Sequence, residues 1–310
     1  MEVRIYATST GERIRKINVQ PIKIFKTMKK ILTFLAVVMM AVIAFNACNK
    51  ATTDKDPIQA APNKADAKKV VLSEPAVVGA DKVLHGMEFT DGGRYILTYV
   101  VTKASDFEYE TGSYSVEDGV YVLEGFGRIA FEGNKITITI ENADPVEATG
   151  TTLPSLPGTE EIAQTWEVKS VDVSLKGSKG SVGFTKQGCN LEEISLFLAE
   201  KLEENGYDFD INLGQFKGLT VKYVSFSSSG TFLVEFTNGD AYLGEMSNYK
   251  QDGDAYSFHY DLVNQGNDLL NGSADCKFIP DSNISAFLCV GVNIGDSKKG
   301  TVMFGLKKVF

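Results

Sequence analysis

Alternation of apolar and polar residues identifies this chain as mainly β. In residues 135–141, Ile136, Ile138 and Ile140 occupy every second position, with Thr137 and Thr139 between them. Successive side chains of a strand point to opposite faces, so this period of two predicts a half-buried strand. Patterns of the same kind recur through most of the chain.

Short turn sequences separate these strand-like runs. Asp118-Gly119, Gly133-Asn134 and Asn238-Gly239 each pair a glycine with a residue that tolerates a left-handed backbone. Such pairs favour two-residue hairpin loops. A series of hairpins builds an antiparallel meander, and no pattern here indicates βαβ crossovers.

One amphipathic helix is predicted at 191–205. Asn190 is a favourable N-cap, Glu193 completes a capping box, and Gly206 provides a C-terminal stop. The apolar side is formed by residues at helical spacing: Leu191, Ile194, Leu198 and Leu202. The polar side is acidic, which favours a helix capping a sheet over one lying on a membrane.

The prolines suggest where domains begin and end, because proline cannot donate a hydrogen bond to a sheet ladder. One group lies between Cys48 and residue 80, and a second lies with several glycines between 143 and 163. We therefore predict a signal region at 1–47, a flexible tether at 48–80, an N-terminal β-meander unit at 81–142, a linker at 143–163 and a β-barrel domain at 164–310.

A weak internal repeat links the two predicted β units. The stretch that begins Phe89-Thr-Asp-Gly-Gly93 resembles the stretch that begins Phe226-Ser-Ser-Ser-Gly230, 137 residues later. Glycine, aromatic and turn residues follow in the same order downstream. Convergence on common hairpin sequences would explain this, but the shared order favours duplication of one β unit.

Residues 28–48 have the composition of an export signal. A basic start at Met28 precedes the apolar run 31–44, whose 14 residues are fewer than the roughly 20 that a spanning helix needs. The run fits the apolar core of a signal peptide, which needs about 7–15 residues. We expect translation to start at Met28, because 1–27 precede an already complete signal.

The end of this run, Phe45-Asn-Ala-Cys48, resembles a bacterial lipoprotein signal with its lipobox. The phenylalanine and asparagine depart from the usual lipobox and are similar to those of Bacteroidetes-type lipoproteins. The resemblance implies acylation of Cys48 and a membrane anchor made of acyl chains. An uncleaved anchor with an incidental cysteine is the alternative. Because 49–53 lack an acidic run, we expect an outer-membrane anchor that faces the periplasm.

Charge and chemistry exclude several functions. The chain has a net charge of −9, whereas nucleic-acid binding needs clustered basic residues. Its two histidines, His85 and His259, have no neighbours that form a catalytic or metal-binding motif. We predict a protein that is not an enzyme and binds no cofactor, metal or nucleic acid.

The second half of the chain resembles the lipocalin-like β-barrel domains of Bacteroidetes lipoproteins of unassigned function. The resemblance rests on Trp166 at the start of a strand, the helix that follows and the hairpins from Gly230 onwards. Gln164-Thr165 stands where lipocalins have a glycine before the tryptophan. Lys307 or Lys308 is available as the basic partner of that tryptophan.

Two functions agree with this resemblance. The first is a carrier whose barrel binds a small apolar ligand; the candidate lining residues are Trp166, Phe232, Phe236, Tyr242 and Phe258. The second is a structural or assembly lipoprotein with a packed barrel that contacts other envelope proteins. Whether the barrel interior is empty or filled distinguishes them.

The remaining cysteines are predicted to be free. A hairpin loop at 280–283 would place Cys276 and Cys289 diagonally on one face, about 7–8 Å apart at Cα. That separation exceeds the usual disulfide limit of roughly 6.8 Å. Because three cysteines remain after acylation of Cys48, an intermolecular disulfide is the alternative.

Acylation at Cys48 is directly testable. Labelled palmitate should enter the wild-type protein and the Cys189→Ser control, because both keep the acceptor thiol. Cys48→Ser should remain unlabelled. Equal labelling of all three proteins would contradict the assignment.

Overall fold

The computed structural model describes residues 66–78, 82–100, 107–177, 180–204, 217–262, 272–293 and 299–309. The predicted signal region, Cys48 and most of the predicted tether lie outside the described residues, so acylation stays a prediction. No helix in the described part of the chain is long and apolar enough to cross a membrane.

The described chain forms two antiparallel β-barrels. The first barrel closes by pairing β1 with β8. Its strands are β1 (Lys68–Val78), β2 (Lys82–Phe89), β3 (Arg94–Val100), β4 (Phe107–Glu117), β5 (Val120–Leu123), β6 (Gly127–Glu132), β7 (Lys135–Ile140) and β8 (Val146–Leu153).

The second barrel closes by pairing β9 with β17. Its strands are β9 (Thr165–Gly177), β10 (Gly180–Gln187), β11 (Val221–Phe226), β12 (Thr231–Phe236), β13 (Ala241–Asp252), β14 (Ala255–Leu262), β15 (Gly272–Ser282), β16 (Ser285–Asn293) and β17 (Lys299–Lys308). The predicted mainly β class, with a barrel and an amphipathic helix, is confirmed.

The first β unit is larger than the predicted meander at 81–142. β1 lies in the predicted tether and β8 lies in the predicted linker, so both boundaries are wrong. Pro75 is tolerated because it falls in the irregularity of β1 between Val71 and Ala76, where the ladder is interrupted. Pro145 precedes β8 and therefore removes no ladder hydrogen bond.

Local patterning is reproduced in the first barrel. Ile136 and Ile138 are fully buried, and Ile140 packs against the same core. The predicted Asp118-Gly119 turn joins β4 to β5, with φ angles of 51° and 80° that suit aspartate and glycine. The inward-facing side chains therefore follow from the sequence alternation.

The predicted repeat is visible in matching turns. Between β2 and β3, Thr90 N–H donates to Arg94 O at 2.8 Å; between β11 and β12, Ser227 N–H donates to Thr231 O at 2.9 Å. A glycine with positive φ, 78° in the first turn and 88° in the second, closes each loop. The same offset of 137 residues relates both turns, which favours duplication over convergence.

The pairing downstream of these turns also matches. Tyr95 in β3 lies opposite Gly112 in β4, and Phe232 in β12 lies opposite Gly244 in β13. A Cβ at Gly112 would approach the Tyr95 ring to 2.5 Å, so glycine is required there. The close contact with Tyr95 therefore explains why the first copy of the repeat has a glycine at position 112, one of the glycine positions that both copies share.

Helix α1 (Leu191–Glu204) interrupts one edge of the second barrel. β11 pairs with β9 at 165–167 and β10 pairs with β9 at 170–177, so these two strands lie end to end along β9. An isolated bridge between Asn190 and Thr220 closes the insertion that carries the helix. The helix begins as predicted, since Glu193 N–H donates to Asn190 Oδ1 at 3.1 Å.

The connector between the barrels is part of the second core. Within 154–164, Thr159, Ile162 and Ala163 are fully buried. Trp166 Nε1 donates to Ile162 O at 3.2 Å, and Tyr249 OH donates to Gly158 O at 2.6 Å. The segment predicted as a linker at 143–163 therefore contributes β8 to the first barrel and buried residues to the second core, although most of its other residues are exposed.

The cysteines Cys189, Cys276 and Cys289 are free, as predicted. Their predicted register is wrong: Cys276 lies opposite Val290, and Cys289 lies opposite Lys277. An irregularity between Pro280 and Ser282 shifts the pairing by one residue, which moves Cys276 and Cys289 to opposite faces.

The connector's structural role predicts a large effect of Ile162→Ala. Loss of this buried side chain should lower the free energy of unfolding by about 2–5 kcal/mol. Ile284→Ala is the matched control, because Ile284 is 60% exposed, and it should change stability by no more than about 0.5 kcal/mol. Urea denaturation of both variants measures this; equal stability would contradict the packed connector.

Candidate functional site: the contact between the barrels

Charged and hydroxyl side chains from both barrels meet at one contact, which we call the interbarrel contact. Its first side is the outer face of β1–β3, with Lys69, Glu88 and Arg94. Its second side is the outer face of β12 together with the turn at 227–230. These are the same hairpins that carry the internal repeat.

Glu88 lies at the centre of this contact. It is only 3% exposed, and its carboxylate accepts hydrogen bonds from Ser227 Oγ, Ser229 Oγ and Thr231 Oγ1, the last at 2.6 Å. Lys69 Nζ lies 3.6 Å from Glu88 Oε2 and donates to Thr231 Oγ1 at 3.0 Å. A carboxylate from the first barrel is thus satisfied by hydroxyls from the second.

An ion pair joins the barrels beside Glu88. Arg94 Nη2 bonds Glu235 Oε1, and the two side chains are 15% and 9% exposed. Arg94 Nη1 also donates to Ser113 Oγ at 2.7 Å, which fixes the guanidinium from its own barrel. Buried pairs of this kind stabilise poorly in absolute terms, but losing one partner leaves an uncompensated charge.

Backbone groups bring the two turns into contact. Ser228 N–H donates to Asp91 Oδ2 at 2.7 Å, and Thr165 Oγ1 donates to Gly92 O at 3.1 Å. A Cβ at Gly92 would approach Thr165 Oγ1 to 2.2 Å and Thr165 N to 2.5 Å. Only glycine allows this approach of the barrels.

Two apolar residues complete the contact. Ile96 and Leu233 are 2% and 1% exposed, yet neither belongs to the core cluster of its own barrel. Ile96 lies opposite Glu88, and Leu233 lies opposite Ser225, so both face outwards from their barrels. They are 137 residues apart and occupy equivalent positions of the repeat.

The hydrogen-bonded side chains around Glu88 are better suited to a structural role than to catalysis. Thr231 and Ser227 are 1% and 2% exposed, so their hydroxyls cannot reach a substrate from solvent. Each hydroxyl is already committed as a donor to Glu88. A nucleophile needs a base that takes its proton and an accessible reacting atom, and this cluster offers no open position.

The predicted ligand-lining residues Trp166, Phe232, Phe236, Tyr242 and Phe258 are all buried in the second core. Several of them pack on other aromatic rings. Phe232 lies 5.5 Å from Tyr260 between centroids, and Phe236 lies 5.3 Å from Tyr242.

The two histidines and the predicted basic partner of Trp166 occupy defined strand positions. His259 in β14 forms a cross-strand pair with Asp275, at 2.9 Å between Nδ1 and Oδ1. His85 lies at an irregularity in β2, within the other barrel. Lys308 lies opposite Trp166 in the β9–β17 ladder, whereas Lys307 lies opposite Glu167, so Lys308 is the nearer basic neighbour.

Titratable groups of the second core are held in their neutral forms. Burial raises the pKa of the Cys189 thiol to about 12, and it raises the pKa of Cys276 as well. Burial and a 2.5 Å hydrogen bond to Glu161 raise the pKa of Tyr256 to about 12. In the described ranges, no three His, Cys, Asp or Glu side chains are grouped to hold a metal ion.

Sequence reasoning missed the interbarrel contact. Its polar members lie on β1, β2, β3, β9 and β12 and on two turns, and their contact depends on how the barrels pack. Two sequence features could have indicated this contact. The internal repeat contains the two turns that meet, and Glu88 is a charged residue between the apolar residues Met87 and Phe89.

Gly92→Ala should loosen the contact, since the added methyl overlaps Thr165. We expect a loss of about 1–3 kcal/mol and separate unfolding of the barrels. The single tryptophan, Trp166, reports on the second barrel alone, while far-ultraviolet circular dichroism reports on both. The two probes should give coincident urea transitions in the wild type and separated ones in Gly92→Ala.

Gly183→Ala is the matched control, because a Cβ there meets nothing nearer than Val173 O at 3.6 Å. Its two transitions should stay coincident. Coincident transitions in Gly92→Ala, with wild-type stability, would show that the barrels do not depend on this approach.

Comparison with known proteins assigns no family. No family model matches the chain, and no curated protein matches it. Among solved structures, a Bacteroides fragilis protein described as a "putative outer membrane protein" is 11% identical, with 79% of this chain and 100% of that chain covered and a TM-score of 0.25.

Transferrin-binding protein B structures are also similar. The Haemophilus parasuis protein is 9% identical, with 73% of this chain and 54% of that chain covered and a TM-score of 0.23. The Neisseria meningitidis protein is 10% identical, with 77% and 56% covered and a TM-score of 0.20. This chain thus spans about half the length of those proteins.

Proposed function

We propose that this chain is a non-enzymatic, lipid-anchored lipoprotein of the bacterial cell envelope whose two packed barrels form a rigid scaffold for another envelope protein. The anchor is the acylated Cys48 of a Bacteroidetes-type signal, in the outer membrane and facing the periplasm. The observation that favours a scaffold over a carrier is the aromatic packing inside the second barrel.

Aromatic rings contact one another within the core of that barrel. Phe226 is fully buried and contacts three other rings, with centroid distances of 5.4 Å to Phe232, 5.7 Å to Phe258 and 6.0 Å to Phe278. Phe278 continues the cluster to Trp166 at 5.2 Å. Rings at these separations are in contact, so a ligand would have to displace them.

Two further segments contribute to the core of this barrel. The connector 154–164 contributes Ile162, which is fully buried there. Helix α1 places Leu191, Ile194 and Leu198 in the same core from the β10 side. The apolar side of the helix is thus buried in the core and is not free to line a ligand cavity, which supports the structural hypothesis.

The interbarrel contact supports the same proposal. It fixes the outer faces of two barrels relative to each other through Glu88, Arg94 and Gly92, so a partner meets one continuous, preorganised surface. Preorganisation lowers the entropic cost of association. The part of the chain from Cys48 onwards has 23 basic and 38 acidic residues, which favours a partner with a basic contact surface.

Native mass spectrometry of the protein purified from its own envelope, with the lipid anchor removed, tests the packed barrel. We expect a bare mass and no binding of benzene or a fluorescent apolar probe. Phe258→Ala serves as the positive control, because removal of this buried ring should open an apolar cavity that binds benzene.

A co-purifying small molecule that is lost on denaturation would instead establish the carrier. Binding of the apolar probe by wild-type protein as tightly as by Phe258→Ala would have the same meaning. Neither result would bear on the anchor, which the Cys48→Ser labelling tests separately.

A further inference from the structure

A lysine of the first barrel occupies an aromatic site of its own chain. Lys68 Nζ lies 4.1 Å from the centroid of Phe131 and 4.6 Å from that of Tyr121. Both distances are within the range of about 6 Å in which an ammonium is attracted to a ring face. Lys68 is the first residue of β1, opposite Phe89 in β2.

The rings around this ammonium form a rigid enclosure. Tyr121 and Phe131 meet nearly at right angles, with centroids 5.3 Å apart and an interplanar angle of 81°. Phe89 supports both, at 4.2 Å and 6.0 Å, and Tyr114 packs behind Phe89 at 5.2 Å. Two faces set at a right angle are well suited to surround a compact cation.

Polar groups keep this enclosure in place. Tyr121 OH donates to Asp66 O at 2.7 Å, which ties the ring to the segment that precedes β1. The Lys68 side chain itself is half-buried, so its ammonium lies between the rings and the surface. Burial, opposed by the nearby Asp66, lowers the pKa of Lys68, in agreement with an ammonium that is partly removed from water.

We propose that Tyr121 and Phe131, supported by Phe89, form a cation-binding aromatic site that takes methylated ammonium groups and that Lys68 occupies as an intramolecular competitor. A quaternary ammonium is more weakly hydrated than the primary ammonium of lysine, so it loses less on entering the rings. Lys68 leaves by side-chain rotation alone, because β1 keeps its backbone pairing with β2.

Another lysine of the same barrel provides the contrast. Lys82 Nζ lies 4.8 Å from the Tyr99 ring, but it also forms a 2.6 Å ion pair with Glu110, and its side chain is 55% exposed. One ring and an exposed position do not enclose a cation. Lys82→Ala is therefore the matched control for Lys68→Ala.

The test uses the full chain and tetramethylammonium, with tert-butanol as the uncharged probe of similar shape. Lys68→Ala should bind tetramethylammonium at least about tenfold more tightly than wild type, with the methyl resonance shifted upfield by the rings. Wild type and Lys82→Ala should respond alike and weakly. Lys68→Met fills the site with an uncharged chain and should bind no more tightly than wild type.

Equal responses of Lys68→Ala and Lys82→Ala would overturn the proposal. So would equal binding of tert-butanol and tetramethylammonium, since that result describes an apolar cavity with no preference for charge. If Lys68→Ala does not fold, a measurement on the wild-type protein tests the proposal instead. Its Lys68 ε-methylene resonance should be shifted upfield by the rings and should return towards the free-lysine value at high tetramethylammonium; an unshifted resonance would overturn the site.

Discussion

The arrangement of the two barrels depends on burying the Glu88 carboxylate. A charged group away from water must be paired or hydrogen-bonded, and the donors that surround Glu88 are hydroxyls of the other barrel. Leaving such a group unsatisfied costs about 1–3 kcal/mol or more. This is a large share of the roughly 5–15 kcal/mol that separates folded from unfolded domains. Where the second barrel covers Glu88, it must therefore supply the donors that replace water, as Ser227 and Thr231 do.

The Arg94–Glu235 ion pair and Gly92 also depend on contact with the second barrel. The ion pair requires the partner charge, and Gly92 requires the partner backbone at close approach. Equivalent hairpins of the repeat supply both sides, so duplication of one unit provided two faces of similar shape. Their side chains have since diverged, since position 88 is a glutamate in the first copy and position 225 is a serine in the second. That difference gives the contact complementary groups in place of identical ones.

Features of the structure that depend on neighbouring residues were predictable from the sequence. Alternation at 135–141, the Asp118-Gly119 turn and the Asn190 cap are local, because each depends on a few neighbouring residues. The repeat was also readable, since its glycine and aromatic positions recur at one offset. Local chemistry therefore specified the strands, the helix start and the turns.

Features that depend on contacts between distant residues were not predictable in this way. Prolines suggested a tether and a linker, but Pro75 sits at an irregularity and Pro145 lies outside β8, so both segments still contribute strands. The irregularity between Pro280 and Ser282 reversed the faces of the two cysteines. The aromatic residues proposed as a ligand site share an inward face, and whether such a face is lined or filled depends on ring packing across the barrel.

A double-mutant cycle on Arg94 and Glu235 tests most directly whether the barrels form one body. Arg94→Met, Glu235→Leu and the double variant are compared by urea denaturation, with Arg128 and Glu117, which are both 57% exposed, as the control pair. A buried interbarrel pair predicts that each single change costs about 3–5 kcal/mol and that the double variant recovers about 2 kcal/mol or more of their sum. A coupling no larger than about 0.5 kcal/mol, as expected of the exposed control pair, would contradict the account.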